Sequence, residues 1–174
     1  DYATSGEAAS LACAIEQLEG DCVIAYGDTL FRRYILDNLL QADGDIVVGV
    51  DALWRERTAK VDDRIRDLVA ASRPFDPGYL EQDPIALVRV ATDLPDAVVN
   101  GEWIGLAKLT ARGAKRVRAE LDAMAADGSI AAAGLPELFT RLARGDDPPR
   151  VVYVTGHWMD VDDAFDLARA GDFL

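Results

Sequence analysis

The chain contains, close to its start, the stretch Cys22-Val23-Ile24-Ala25-Tyr26-Gly27-Asp28-Thr29-Leu30-Phe31. In it, a short apolar run ends at Gly27-Asp28, and a helix-like pattern begins directly afterwards. A buried parallel strand of an open α/β fold delivers a carboxylate to the carboxyl edge of its sheet in this way, and such folds bind their ligands at that edge. Because Gly-Asp pairs also form ordinary turns, Asp28 alone is a weak indication of a metal or substrate site.

The composition indicates one globular domain over residues 1–174, with a core large enough to fold alone. Half of the residues are apolar, but no apolar run approaches the length of a membrane span, and we expect no signal peptide. The net charge of −13 argues against nucleic acid and anionic membranes as partners. The two cysteines suit a reducing compartment. We therefore expect a cytoplasmic protein, and a phosphorylated small substrate only if metal ions mediate the contact.

The order of periodic segments predicts an α/β fold. Residues 22–26 and 46–50 have the pattern of buried strands, and the helical pattern of residues 30–40 between them predicts a right-handed βαβ unit. The charged segment 54–75 is typical of a solvated helix or surface excursion. Segments 85–91 and 97–109 are predicted to extend the sheet with antiparallel strands.

Further elements are predicted on either side of this unit. Apolar spacing indicates helices over residues 8–18, 111–126 and around 135–142, and a final strand over 150–155. The last helix, from about 163 to 172, is predicted to dock through Ala164, Leu167 and Ala170.

A second acidic cluster follows the last predicted strand. Asp160 and Asp162 alternate along an extended segment, so their side chains point to the same side. If the two strand ends converge, these residues and Asp28 form an oxygen-rich site suited to Mg²⁺, which binds one or two carboxylates together with substrate phosphates. The alternative is an acidic helix N-terminus that complements the helix dipole.

Several motifs, in order along nearly the whole chain, resemble a known family. They are Thr4-Ser5-Gly6-Glu7, Gly27-Asp28-Thr29-Leu30-Phe31, Gly44-Asp45-Ile46-Val47, Asn100-Gly101-Glu102-Trp103-Ile104-Gly105-Leu106-Ala107-Lys108-Leu109 and Gly156-His157-Trp158-Met159-Asp160-Val161-Asp162-Asp163. The chain resembles the cytidylyltransferase-type nucleotidyltransferase domain that is fused to phosphoenolpyruvate phosphomutase in phosphonate biosynthesis. The resemblance implies a Rossmann-like three-layer sandwich with a mostly parallel sheet, of the nucleotide-diphospho-sugar transferase type.

The resemblance also implies an activity and a site. The enzyme would transfer CMP from CTP to a small phosphonate, such as 2-aminoethylphosphonate or 2-hydroxyethylphosphonate, and release pyrophosphate with Mg²⁺ as cofactor. Asp28 and Asp162 would be catalytic and bind the metal, with Asp160 beside them, and Asp163 stands where the family has threonine. The nucleotide would contact Ser5, Gly6, Glu7 and Gly27. The acceptor would contact Glu102, Trp103, Gly105, His157 and Trp158.

Simpler roles compete for some of these residues. Ser5 could cap a helix, Glu102 could be a surface carboxylate, and Trp103 and Trp158 could belong to the core. His157 is the only histidine, and the sequence has no serine or cysteine motif for covalent catalysis. Nucleotidyl transfer requires neither, because metal ions and positioned donors stabilise the transition state.

One family feature has no counterpart in residues 1–174, namely the N-terminal strand with its Gly-rich loop carrying Arg and Lys. Whether this chain alone is active is therefore left open, and we expect a single domain without that loop. Two alternatives remain: an enzyme with a sugar 1-phosphate or phosphocholine acceptor, and a non-catalytic module that binds a partner such as a fused or associated phosphomutase domain. The acceptor, the base and the oligomeric state stay open.

Overall fold

The computed structural model of the chain describes residues 5–57, 64–78 and 83–173. The strands are β1 (Cys22–Ala25), β2 (Thr29–Phe31), β3 (Ile46–Asp51), β4 (Leu68–Ala71), β5 (Leu87–Ala91), β6 (Gly101–Leu109), β7 (Arg150–Val154) and β8 (Trp158–Asp160). The helices are α1 (Glu7–Cys13), α2 (Arg33–Gln41), α3 (Trp54–Arg57), α4 (Ala111–Ala126), α5 (Leu135–Ala143) and α6 (Ala164–Phe173). None of the helices described is long and apolar enough to cross a membrane.

A six-stranded mixed sheet forms the centre of the molecule. Its order is β5-β4-β6-β3-β7, and β1 pairs with β6 on the edge opposite β3. Strands β1, β3, β4 and β7 run in one direction, whereas β5 and β6 run in the other. The predicted antiparallel strands are therefore present. However, β6 lies between β1 and β3, so the predicted βαβ unit spans an intervening strand.

The two faces of the sheet carry separate apolar layers, because alternate residues of a strand point in opposite directions. Ile46, Val48 and Val50 of β3 face the larger core, which includes buried residues of α4 and α5. Val47 faces the other way and packs with Ile35 and with other buried residues of α2, β6 and β7. The α/β three-layer class predicted from the sequence is confirmed.

Local boundaries differ from the prediction at two short strands. The helix predicted over residues 30–40 begins only at Arg33, because Thr29–Phe31 pairs as β2 with the distant β8. The predicted surface excursion over residues 54–75 contains β4, which pairs with both β5 and β6. In each case, partner strands far away in the sequence override the local pattern.

The last helix docks through a different residue from those predicted. Ala164 is exposed, and Leu167 is 66% exposed. The buried residue of α6 is instead Asp166, which forms ion pairs with Arg64 and Arg169. Ala170, the third predicted docking residue, is half-buried, and the guanidinium of Arg32 lies over the ring of Phe173. The ion pair of Asp166 with Arg64 adds a charged attachment that an apolar periodicity could not reveal.

Candidate functional site

A cleft of about 650 Å³ opens beyond the carboxyl end of β1. Its walls come from the β1–β2 connection, the segment before β4, the first half of β6, β8 and the start of α6. The lining residues are Glu7, Tyr26, Gly27, Asp28, Arg64, Ile65, Arg66, Asp67, Glu102, Trp103, Ile104, Gly105, Trp158, Met159, Asp160, Asp162, Asp166 and Arg169. The cleft thus brings together the two acidic clusters that the sequence places more than 130 residues apart.

The pairing of β2 with β8 brings Asp28 close to Asp160. In this ladder Thr29 lies opposite Asp160, and the Thr29 hydroxyl donates a hydrogen bond to Asp160 Oδ1 at 2.9 Å. One residue further along, the amide of Val161 donates to the carbonyl oxygen of Asp28 at 3.0 Å. The sequence prediction that the two strand ends converge is therefore correct, although the link is a short antiparallel ladder that the sequence analysis did not identify.

The buried carboxylate of Asp51 holds the start of β8 by hydrogen bonds. Asp51, at the end of β3, is 0% exposed and accepts hydrogen bonds from the amides of Leu53 and Gly156 and from the indole of Trp158. Trp158 is therefore mostly core, as the competing interpretation held, although it also contributes surface to the cleft. The position of Asp51 directly after the apolar run 46–50 was the available sequence signal for it.

Asp162 belongs to an ion cluster at the start of α6. Its Oδ2 lies 3.1 Å from Arg64 Nη1, and the other terminal nitrogen of Arg64 contacts Asp166. Partial burial lowers the pKa of Arg64, but the hydrogen bond to Asp166 and the nearby aspartate charges outweigh this effect, so its pKa is raised. Asp162 is half-exposed. Its carboxylate therefore already has a cationic neighbour.

Asp163, which stands where the resembling family has threonine, caps the N-terminus of α6. Its Oδ1 accepts hydrogen bonds from the amides of Phe165 and Asp166, at 2.7 and 2.8 Å. Aspartate and threonine both accept such bonds at the N-cap position. The substitution is therefore compatible with the same local structure.

An aromatic pair and a buried acid line the opposite wall. The rings of Tyr26 and Trp103 pack with centroids 5.2 Å apart, and the Tyr26 hydroxyl donates to Asp67 Oδ2 at 3.0 Å. Burial raises the pKa of Asp67 to about 6; the hydrogen bond from Tyr26 opposes this rise, and the charges of Glu7 and Asp160 add to it. Burial, together with the charge of Asp67, also raises the pKa of Tyr26.

Gly105 has a structural reason to be glycine. Its φ is +69°, and a Cβ atom there would lie 2.3 Å from Cδ2 of the Tyr26 ring. Its carbonyl oxygen accepts a hydrogen bond from the Tyr26 amide. Gly105 therefore lets β6 approach the β1–β2 connection closely, and this shapes the floor of the cleft.

The cleft is acidic overall. Its described lining contains seven carboxylate side chains but three guanidinium groups, and all three arginines are ion-paired: Arg64 with Asp162 and Asp166, Arg66 with Glu102, and Arg169 with Asp166. Within the described parts of the chain, no three histidine, cysteine or carboxylate side chains are grouped closely enough to hold a metal ion by themselves. A metal ion here would need ligands from a substrate as well.

Three predicted site residues lie outside the lining of the cleft. Ser5 and Gly6 precede α1, and a Cβ on Gly6 would collide with the carbonyl of Ala133, so tight packing accounts for that glycine. His157 faces away, and its Nδ1 lies 2.6 Å from the hydroxyl of Tyr34. The other predicted residues line the cleft: Glu7, Gly27, Asp28, Glu102, Trp103, Gly105, Trp158, Asp160 and Asp162.

Sequence reasoning missed the cleft residues that precede β4, and it also missed Tyr26, Asp166 and Arg169. Arg64, Arg66 and Asp67 belong to a segment whose charges resemble an ordinary solvated surface. Its pairing with β6, where the amide of Trp103 donates to the carbonyl of Asp67, brings these side chains into the cleft. At helical spacing, Asp166 and Arg169 lie on a face that also carries Asp162 and Asp163, so nothing in the local pattern indicated that Asp166 is buried.

Several solved nucleotidyltransferases have the same fold as this chain. Neither a protein-family model nor a curated protein matches the sequence. Among solved structures, the inositol-1-phosphate CTP transferase from T. maritima matches with a TM-score of 0.72 at 15% identity, over 99% of this chain and 62% of that one.

Two further solved structures have the same fold. The CTP:phosphocholine cytidylyltransferase from Streptococcus pneumoniae matches with a TM-score of 0.61 at 13% identity, over 98% of this chain and 64% of its own. A putative glucose-1-phosphate thymidylyltransferase from Bacillus anthracis matches with a TM-score of 0.63 at 14% identity, over 97% of this chain and 61% of that one. Identities this low establish the fold alone, and the chain spans somewhat over three fifths of these proteins.

Proposed function

We propose that the chain belongs to a nucleotidyltransferase that transfers CMP from CTP to a small phosphonate and releases pyrophosphate. The observation that carries the proposal is the convergence of Asp28, Asp160 and Asp162 in one cleft. This cleft lies in a fold whose solved neighbours include two that are named as CTP-dependent transferases.

We further propose Mg²⁺ as the cofactor, bound by Asp28 and Asp162 with Asp160 close by. The donor chemistry fits, because all three side chains offer carboxylate oxygens to the same cleft and Mg²⁺ takes one or two protein carboxylates besides substrate phosphates. When bound, the ion would neutralise negative charge on the triphosphate. In a cleft with an excess of carboxylates, a nucleotide would otherwise be repelled.

The protein side chains would then act by positioning. An ionised phosphonate oxygen forms a bond to the α-phosphorus of CTP while the bond from that phosphorus to the bridging oxygen breaks, and pyrophosphate leaves. The acceptor needs no strong general base, because a phosphonate is already ionised near neutral pH. Arg64, Arg66 and Arg169 are the cleft cations that could donate to an anionic group, since guanidinium suits phosphoryl oxygens.

A second candidate acceptor is a phosphomonoester, either phosphocholine or a sugar 1-phosphate. The names of the solved neighbours favour it, since they include a phosphocholine and an inositol-1-phosphate enzyme. The phosphonate proposal rests on the sequence motifs, and an associated phosphoenolpyruvate phosphomutase would be the natural source of such an acceptor.

The test is a screen of pyrophosphate release by the full-length protein with Mg²⁺. CTP, UTP, dTTP, GTP and ATP would each be combined with 2-aminoethylphosphonate, 2-hydroxyethylphosphonate, phosphocholine, inositol 1-phosphate and glucose 1-phosphate. We expect turnover with CTP and a phosphonate, and its loss in Asp28→Ala and Asp162→Ala. Asp163→Asn is the matched control, because it removes a neighbouring charge but can retain the cap. Absence of turnover with every pair would favour the non-catalytic module.

A further inference from the structure

Asp51 is a buried carboxylate without surface access. It ends β3, lies opposite Glu102 of β6 and Val154 of β7 in the ladders, and is 0% exposed. A carboxylate in such a place is costly unless hydrogen bonds compensate for the lost water. The hydrogen bonds that it accepts therefore determine what the residue does.

Those bonds connect the sheet to the segment between β7 and β8. Asp51 Oδ1 accepts from the amide of Gly156 at 3.2 Å and from that of Leu53 at 2.9 Å, and Oδ2 accepts from the indole Nε1 of Trp158 at 2.8 Å. Two of these three donors thus lie more than a hundred residues away. Both oxygens are held in a fixed orientation by bonds to an ionised acceptor, which are stronger than neutral ones.

The segment that Asp51 holds has an unfavourable backbone. Gly156 has φ +84° and His157 has φ +62°, and His157 is the only residue other than glycine with a positive φ in the described ranges. A left-handed residue with a side chain costs free energy and persists where its surroundings impose it. The hydrogen bonds that Asp51 accepts from Gly156 and Trp158 flank His157. Together with the hydrogen bond from the Arg32 amide to the His157 carbonyl, they hold this turn.

The turn sets the position of the acidic residues that follow it. Trp158 begins β8 opposite Phe31, and two residues later Asp160 lies opposite Thr29. With Trp158 anchored, the register of β8 and the direction of the chain towards Asp162 are fixed from the core side as well as by the ladder with β2.

We propose that Asp51 is a positioning residue that holds β8, and with it Asp160 and Asp162, in place against Asp28. This inference rests on the proposed function, because it assumes that these carboxylates bind a divalent cation. Asp51 itself touches neither cation nor substrate. Its effect passes through Trp158 and Gly156.

The test compares two ways of removing a buried hydrogen bond. In Asp51→Asn the side-chain NH₂ group would face either the indole N–H of Trp158 or the backbone amides of Leu53 and Gly156. In either orientation two hydrogen-bond donors point at each other. Thr140→Val is the matched control, because the buried Thr140 hydroxyl bonds to both the amide and the carbonyl of Val90 on α5 and β5, away from the cleft. Both variants lose buried hydrogen bonds and should be less stable.

Binding of Mn²⁺ to the full-length protein, measured by calorimetry where all variants are folded, separates position from stability. We expect Asp51→Asn to bind Mn²⁺ about tenfold more weakly, as supporting residues of metal sites do when replaced, and Thr140→Val to bind like the wild type. Amide exchange over residues 157–162 should accelerate only in Asp51→Asn. The double variant Asp51→Asn/Trp158→Phe, which removes the opposing indole donor, should recover part of the affinity.

The outcomes are distinct. Wild-type Mn²⁺ affinity in Asp51→Asn, or an equal loss in Thr140→Val, would overturn the positioning role, and so would a wild-type protein that binds no Mn²⁺. Mn²⁺ binding that depends on Asp51 in a protein that releases no pyrophosphate would reject nucleotidyl transfer and leave the positioning role intact.

Discussion

Replacing Asp67 by asparagine should stabilise the protein at neutral pH. The pKa of this carboxyl is raised from 3.8 to about 6, chiefly by burial and further by the charges of Glu7 and Asp160. Asparagine resembles the protonated acid and can still accept the hydrogen bond from Tyr26. The substitution therefore removes the cost of an ionised buried group while retaining its main contact.

The size of the effect follows from the two pKa values. One pH unit corresponds to about 1.4 kcal/mol, so a change from 3.8 to about 6 makes ionised Asp67 cost roughly 3 kcal/mol. Because Asp67 is partly exposed and water screens it, we expect a gain of about 2 kcal/mol for Asp67→Asn at pH 7.5. Since the folded state binds the proton more tightly, the stability from protonated Asp67 is present below pH 3.8 and is lost as the pH rises through about 6.

The measurement is the free energy of unfolding in urea, followed by tryptophan fluorescence, for wild type and Asp67→Asn at several pH values. The difference between the two proteins should fall to about a third of its neutral value at pH 4.5. Taking the difference cancels the titration of the other carboxylates. An Asp67→Asn protein no more stable than the wild type at pH 7.5, or a difference independent of pH, would show that ionised Asp67 does not destabilise the fold.

Three further predictions concern the cleft and the cap of α6 beside it. Asp163→Ala removes the cap, so it should lower the free energy of unfolding by about 1 kcal/mol and accelerate amide exchange in α6. Asp163→Thr keeps a capping oxygen and should stay within about 0.5 kcal/mol of the wild type. Equal exchange in both variants would contradict the capping role. Gly105→Ala should lower the free energy of unfolding by about 2 kcal/mol or more. The control is Gly128→Ala, which should lower it less, because Gly128 has a similar φ of +80° but open surroundings. Equal losses would show that the close approach to Tyr26 is unimportant. Arg64→Gln should strengthen Mn²⁺ binding about two- to fivefold in calorimetry, because Arg64 competes with the metal ion for the carboxylate of Asp162. A partly exposed ion pair of this kind contributes up to about 1 kcal/mol. Weaker binding in the variant would argue against that competition.

Elements with a long, uniform pattern were predictable from the sequence. The helix predicted over residues 111–126 matches α4 (Ala111–Ala126), where apolar positions recur on one face and the hydroxyl of Thr110 caps the first turn. The strand predicted over residues 150–155 matches β7 within one residue. Such elements carry their own hydrophobic period and end signals, so local reasoning suffices.

Short strands were not predictable, because their partners decide them. Nothing local distinguishes Thr29–Phe31 from the start of a helix; only the three-residue β8, some 130 positions later, makes it a strand. Leu68–Ala71 is similar, since its apolar residues follow a dense run of charges and form a strand only by pairing with β5 and β6.

The candidate site divides in the same way. The half with Asp28 and Asp160 was predictable, because strand ends can be recognised from sequence and carboxyl edges tend to converge. The half with Arg64 and Asp67 was not, because ion pairs and buried acids leave no periodic trace. His157 belongs to a motif of the resembling family, yet it lies outside the lining of the cleft, where its ring contacts the hydroxyl of Tyr34.

The central position of β6 has a consequence for how the chain folds as it is made. In the described structure β1 finds its partner strand only in β6, where Cys22 pairs with Leu109, about 87 residues later. At synthesis rates of roughly 5–20 residues per second, β1 waits roughly 4 to 17 s for that partner. Pairing at such separation also slows folding itself. Nascent chains should therefore expose the apolar strand β1 to chaperones until residue 109 has emerged from the ribosome.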